Sequence, residues 1–472
     1  MAKQWMKMAV LAGVIGLTRL CVAADVSGNW IAKAGNQYAH VSLQADGGKL
    51  SGMWGTDKIE GVIDAGKINL TLTNTEGAPS GTLTGTIAGD TVTLTGTVVG
   101  EGGGRGGRGG GGGFGGGGGA PVPAAGPAAG GAMATPPSGG GRAGRGGAGG
   151  GPTTFTLTRA AIPPAKPRDI KYEPTSFFAF YSGANKPELT IFPGDVVHTW
   201  TADAGGVDAK GVQHRGGDSN IGPIYVEGAL PGDTLVVHLL KVRTNRATAR
   251  QGTHLNANAA TTAYLVGAKY DPAVTGEWTL LPEKGIAVPT HPSEHMKNYS
   301  VPLKPMLGCI SVAPPGDQQY RGGDLGPFGG NMDYIDNAEG ATLYFPVFQP
   351  GALLGMGDGH AAMGDGEVVG SGLETSMDVD FSVEVIHGDS TGMVRSENKD
   401  YFMAFGVAGS VPVAIQVATS QLATWIKKDY KLSDSEVAIL FASTLKYDIA
   451  ELVDPRYDVV AKIPKSVLAT MK

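Results

Sequence analysis

Between Glu101 and Pro152 the chain is almost wholly Gly, Ala and Pro, broken by Arg105, Arg108, Arg142 and Arg145. Such a stretch cannot bury enough apolar surface to offset the entropy lost on ordering, so it predicts a disordered insertion. The chain of 472 residues around it is long enough for two or three domains and a substantial core.

The GRGGRGG run within the insertion is the kind of segment some RNA-binding proteins carry. Four arginines are too few for that reading here, and the formal net charge of -6 with a pI near 5.9 gives no polycationic signal. Nucleic acid is therefore not an expected partner, and the segment reads as a solvated loop.

Residues 25 to about 99 alternate Thr and Val with apolar positions in short runs, such as KINLTLT and DTVTLTGTVV, separated by Gly47-Gly48, Asn74 to Gly77 and Gly89-Asp90. That is the pattern of half-buried antiparallel strands joined by hairpin turns. Phe155 to Arg159 reads as the last strand of the same unit. The expected organisation is a small β meander or barrel at 25–160 with the 101–152 insertion in its final hairpin, a Pro-rich linker at 161–169, and a large domain at 170–472. The small unit shows no cluster of catalytic residue types and reads as an accessory binding or packing module.

The N-terminus has the layout of an export signal. Lys3 and Lys7 precede the apolar run Met8 to Leu17, and Val22-Ala23-Ala24 fits a small-residue cleavage site. A signal at 1–24 implies a periplasmic or extracellular protein. No later stretch is long and apolar enough to span a membrane. Cleavage leaves Cys309 as the one cysteine, which excludes an intramolecular disulfide; its setting, Met306-Leu-Gly-Cys-Ile, is that of a buried small hydrophobe.

In the large domain the chemistry concentrates at Gly351 to Glu374, where Gly-Asp-Gly-His at 357–360 is nearly repeated by Gly-Asp-Gly-Glu at 364–367. Read as strand, turn and strand, the period of two puts Asp358 with His360 and Asp365 with Glu367 on single faces. Such a hairpin gathers acids around an imidazole, while its glycines let a ligand approach the backbone. Asp beside Gly is also ordinary turn chemistry, and both readings stand. Towards the C-terminus, Val411 to Tyr430 carries apolar residues at helical spacing, and Ser-Asp-Ser-Glu from Ser433 is a capping box for a second helix.

Five blocks in order, Gly222 to Val237, Lys304 to Pro314, Gly329 to Asp333, Leu343 to Val347 and Gly351 to Val368, make residues 170–465 resemble the acetamidase/formamidase family. The resemblance implies a mainly β fold, a β-rich core with a few C-terminal helices, and self-association into a homo-oligomer. It implies hydrolysis of short linear amides of the formamide and acetamide type, with a small amide as the binding partner. The polar positions it matches are Glu227, Asn331, Asp333, Asp358, His360, Asp365, Glu367 and Glu374.

Amide hydrolysis needs an activated water, a polarised carbonyl and a proton for the leaving amine. No Gly-x-Ser-x-Gly elbow is present, which argues against serine acyl-enzyme chemistry. A divalent metal lowers the pKa of bound water towards ~7, and a carboxylate then carries the proton. The expected ligands are Asp358 and His360, completed by Asp333 or Glu374. The expected catalytic residues are Glu367 as base and acid, with Asp365 and Asn331; Glu227, Gly329 and Gly330 are expected to bind substrate. Zinc suits an imidazole–carboxylate set, and calcium or magnesium an oxygen-rich one. A metal-free path in which Glu367 activates water directly stays open. So do a hydrolase for a larger amide, imide or ester, and a non-catalytic binding protein on the same scaffold.

Overall fold

The computed structural model describes residues 26–99 and 151–471. The export signal expected at 1–24 lies outside those residues, as does the Gly-rich insertion up to residue 150. The described chain forms two compact units, a smaller one that ends at Arg159 and a larger one that runs on from Ala160.

The smaller unit is a closed barrel of eight antiparallel strands: Gly28–Ala34, Gln37–Asp46, Lys49–Trp54, Asp57–Asp64, Lys67–Thr73, Pro79–Ala88, Thr91–Val98 and Thr153–Arg159. The last strand pairs with both Thr91–Val98 and Gly28–Ala34, so no edge is left open. Alternation does the sorting. In Lys67–Thr73 the side chains of Ile68, Leu70 and Leu72 are buried, and Lys67, Asn69 and Thr71 are exposed. Trp30, Leu43, Leu83, Leu94 and Leu157 fill the interior, and Trp54 meets Phe155 edge-on at 5.0 Å between ring centroids.

The larger unit is β-rich, with helices gathered towards its C-terminus, as expected. One sheet has six strands in the order Leu189–Ile191, Asn220–Val226, Leu354–His360, Met306–Ser311, Gly329–Asn331 and Leu325–Gly326. A second sheet has nine, and its outermost pair is Lys446–Glu451 beside Tyr457–Pro464. Side chains from both sheets, among them Ile310, Leu354, Phe345, Phe381 and Phe405, share one core. The helix Val411–Tyr430 buries Ala414, Ala418, Leu422, Trp425 and Ile426, a stripe at helical spacing. Ser433 closes a capping box with Glu436 at the start of Asp434–Thr444. Among the described residues no helix is long and apolar enough to cross a membrane.

The strand Leu354–His360 is buried at every position, as is its neighbour Met306–Ser311. A strand this glycine-rich is a poor strand on propensity alone, and here packing overrides it. A Cβ on Gly357 would meet the Ser219 carbonyl oxygen at 2.3 Å, and one on Gly359 would meet Met377 at 2.4 Å. Only glycine lets the neighbouring chain come so close.

One turn of this unit is held by a buried carboxylate. Asp195 accepts from the Phe192 amide at 2.9 Å, the Arg168 amide at 2.8 Å and the Arg168 guanidinium at 3.1 and 2.5 Å. Burial works to raise its pKa, but Arg168 and the two amides outweigh it and hold the carboxyl below its ordinary range. Asp195→Ala leaves two amides without acceptors and is expected to cost about 2–3 kcal/mol, because Arg168 is partly in water and its share is screened. For a domain of this size that is a melting point lower by roughly 5–10 °C. The folded pKa is depressed, so the stabilisation is present above the unfolded value and lost as pH falls through the folded one. Thermal melts of the two proteins should therefore differ most at pH 7, and the difference should shrink as pH falls through the depressed folded pKa of Asp195.

Candidate metal and catalytic centre

Asp358 and His360 leave the strand Leu354–His360 on one face, as the period of two requires. The expected partner strand of a hairpin does not form. Beyond His360 the chain turns, with left-handed φ at Gly366, Glu367 and Gly370, and returns so that Glu374 pairs with both His360 and Arg250. These turns send Glu367 inward, 7% exposed, and leave Asp365 on the surface beside Asp448 and the lysines Lys304 and Lys462. Asp365 is not part of the centre, because the chain leaves strand geometry before it.

His360 is wholly buried, and its two ring nitrogens have different neighbours. Nδ1 lies 3.3 Å from the Met363 sulfur, which can only accept, so Nδ1 carries the proton. Nε2 then turns its lone pair on the Asp358 Oδ1 and Glu374 Oε1 oxygens at 3.2 Å each, and on Asp333 Oδ1 at 3.8 Å. A lone pair facing three carboxylates is repulsive unless a proton or a metal cation sits between them. Without a metal the proton wins. Burial lowers the His360 pKa, but Glu374 and Asp358 drive it well above the ordinary histidine value.

The carboxylates show the other half of the same imbalance. Burial, followed by Glu367 and Asp358, pushes Asp333 well above the usual range, and both of its oxygens are buried without a hydrogen-bond partner. Asp358 is held low: burial would raise it, but His360 opposes that with both charge and a hydrogen bond. Burial raises Glu374 to about 7 and Glu367 to about 10, with His360 working against the rise in each. Asp333, His360 and Glu367 each offer an atom within 4.8 Å of the others, as do Asp358, His360 and Glu374. This donor set could hold a metal ion.

Backbone strain gathers here as well. Asp218, Asp333, Asp358 and Glu367 all have positive φ, between 41° and 54°. Each costs on the order of 1–3 kcal/mol, and such residues persist where the surrounding structure over-determines them.

Of the other expected residues, Asn331 sits at the edge of the cluster. Its Nδ2 donates to Asp454 at 2.7 Å and its Oδ1 accepts from the Cys309 thiol at 2.7 Å. Gly329 and Gly330 answer to packing rather than to substrate: a Cβ on either would strike a backbone oxygen at 2.3 Å. Glu227 follows the far end of the strand Asn220–Val226, roughly 20 Å along the chain from Asn220, the end that pairs with Gly357 beside Asp358. Cys309 is buried as expected, and burial followed by Asp358 pushes its thiol well up, so it is not a nucleophile.

Sequence reasoning missed four neighbours. Glu451 and Asp454 arrive from the second sheet, where a bridge between Gly366 and Glu451 brings that corner against the Glu367 turn. Asp218, raised to about 7 by burial and then by Asp358, lies on the far side of Cys309. Gly308 faces the carboxylates directly, since a Cβ there would meet Asp333 Oδ1 at 2.3 Å and Asp358 Oδ2 at 2.5 Å. The sequence signal for Glu451 and Asp454 was an acid-x-x-acid turn after an apolar strand, too common to single out.

A cleft of about 480 Å³ is lined by Asp203, Arg250, Gln251, Thr275, Ser371 and Glu374 among others. Glu374, 14% exposed in its side chain, belongs both to this wall and to the buried cluster.

Residues 327–430, which carry Asn331, Asp333, Asp358, His360, Glu367 and Glu374, match a protein-family model. The match is to the acetamidase/formamidase family. An acetamidase of Mycolicibacterium smegmatis is 39% identical over 61 residues, which is 13% of this chain and 15% of that protein. Solved acetamidase structures extend the likeness to nearly two thirds of the chain. A predicted acetamidase/formamidase of Thermoanaerobacter tengcongensis is 29% identical at a TM-score of 0.55, the alignment covering 64% of this chain and 98% of that one. An acetamidase of Bacillus halodurans is 25% identical at 0.54, over 64% and 99%. One of Yersinia enterocolitica is 26% identical at 0.54, over 64% and 94%. These alignments span nearly the whole of each solved acetamidase and leave about a third of this chain outside the likeness.

Proposed function

We propose that the larger unit hydrolyses the carbon–nitrogen bond of short linear amides, formamide and acetamide among them, to a carboxylate and ammonia. The observation that carries this reading is Glu374, which joins a buried carboxylate–imidazole cluster to an open polar cleft. The names of the similar proteins support amide hydrolysis as the bond type.

The residues fit a divalent cation. Asp358, His360 and Asp333 would hold it, through the Nε2 lone pair, the Asp358 carboxylate beside it and the Asp333 oxygens that have no donors of their own. When bound, the cation supplies Lewis acidity, polarising an amide carbonyl and making water more acidic. Zinc suits the imidazole, with calcium or magnesium the choice as oxygens dominate. Glu374 is assigned proton transfer. Its Oε1 is held by the Gly372 amide at 2.9 Å, and its Oε2 is buried without a partner. From the cleft wall it takes the proton of the attacking water and returns it to the leaving nitrogen. Glu367 was expected to be the base. Without a cation, burial raises it to about 10, and it stands beside Asp333 and His360 as a proton donor to the cluster. Asn331 is a positioning residue, tying the Cys309 side of the cluster to Asp454.

The second reading, a larger amide, imide or ester, is favoured by the cleft itself. Its volume of about 480 Å³ falls in the range of roughly 300–1,000 Å³ typical of drug-sized ligands. Export through residues 1–24 and self-association belong to the same proposal. Sequencing the secreted N-terminus and sedimentation address those two.

The experiment is ammonia release from formamide, acetamide and a larger amide, with chelator and with zinc added back. We expect turnover that chelator stops and zinc restores. Turnover indifferent to chelator would replace the cation with direct carboxylate catalysis. No turnover on any amide would favour the binding-protein reading.

A further inference from the structure

Asp333, a ligand of the cation proposed above, also belongs to a second group of acids: Asp333, Glu451 and Asp454 offer oxygens within 4.8 Å of one another. Metal–oxygen bonds of about 2.0–2.6 Å put opposed ligands on one ion roughly 4–5 Å apart, so that spacing suits a shared cation.

Crowded acids alone would not make a site. Here ligand oxygens are buried short of donors. Glu451 is 0% exposed; its Oε1 accepts from the amides of Val453 and Asp454, its Oε2 is buried without a geometric hydrogen bond, and the Glu367 carboxyl beside it is the donor a cation would displace. Asp454 is fixed by the Asn331 amide on Oδ2 at 2.7 Å. Asp333, also 0% exposed, has both oxygens without a hydrogen-bond partner and belongs to both groups. Orphaned buried oxygens are costly, and native proteins pair them or give them to a metal.

We propose that the centre holds two cations, with Asp333 as the bridging carboxylate and Glu451 and Asp454 as ligands of the second. The two positions differ in chemistry. The first has the His360 imidazole and suits a borderline metal such as zinc. The second offers only carboxylate oxygens and suits a hard ion such as manganese, magnesium or calcium. A paired arrangement would hold the reacting group between two positive charges and offset the negative charge of the surrounding acids. This inference rests on the single-cation reading and adds one ion to it.

The test strips the full-length protein with chelator, loads it with Zn²⁺ and Mn²⁺ together, and counts bound metal per chain by mass spectrometry. Wild type is expected to bind one zinc and one manganese. Glu451→Gln, which can still accept from the Val453 and Asp454 amides, should keep its zinc and bind manganese at least tenfold more weakly. Asp358→Asn should show the reverse, and Asp333→Asn should weaken both. Manganese resonance spectra, perturbed by the neighbouring ion only in the doubly loaded protein, give a readout independent of activity. One metal per chain, unaffected by Glu451→Gln and lost in Asp358→Asn, would overturn the second site and leave the first. No bound metal in wild type would overturn both.

Discussion

Gly308→Ala is expected to lower amide hydrolysis by about a hundredfold or more while both sheets stay folded. Gly308 lies in the buried strand Met306–Ser311, where the backbone is fixed by ladders on either side. The added methyl would sit 2.3 Å from Asp333 Oδ1 and 2.5 Å from Asp358 Oδ2, well inside contact distance. Neither carboxylate can simply swing away, since Asp333 is 0% and Asp358 2% exposed. The methyl must therefore displace at least one of them, and a shift of ~1 Å suffices to spoil a catalytic arrangement. The overpacking itself should cost about 1–3 kcal/mol, which leaves the fold standing. Kinetics, bound metal and a melting curve on one preparation separate these effects. A fully active Gly308→Ala protein would mean that Asp333 and Asp358 do not serve the reaction.

The second large effect belongs to His360. His360→Ala is expected to reduce kcat/KM by on the order of 10²–10⁴, with retained circular dichroism. The substitution removes the nitrogen on which Asp358, Glu374 and Asp333 converge, and leaves a cavity the size of an imidazole. Two readouts distinguish chemistry from collapse. Zinc content should fall with activity, and millimolar free imidazole should restore part of both. Undiminished hydrolysis would remove His360 from the mechanism.

The site was legible in the sequence where it is local. Asp358 and His360 share a face because two residues separate them in a strand, and the helix Val411–Tyr430 follows from its own spacing. The rest is set by pairings between distant segments. Glu374 joins through its bridge to His360, and Glu451 through its bridge to Gly366. Nothing in the composition of either neighbourhood encodes such a contact. The near-repeat at 364–367 misled for a related reason. It nearly copies the letters of 357–360 but meets a neighbouring strand only at the single bridge from Gly366 to Glu451, too little to hold it extended, so the chain turns and Asp365 leaves the cluster. Gly329 and Gly330 sit in a matched block, yet close backbone packing already explains them.

The left-handed residues Asp218, Asp333, Asp358 and Glu367 carry a wider consequence. Glycine would relieve the backbone at every one of them, and asparagine would suit most. Selection for thermal stability alone would erode these four acids, and with them the cluster proposed to hold a cation. Backbone ease and the proposed centre pull on the same positions in opposite directions. A library screened only for robustness would find the proposed centre by deleting it.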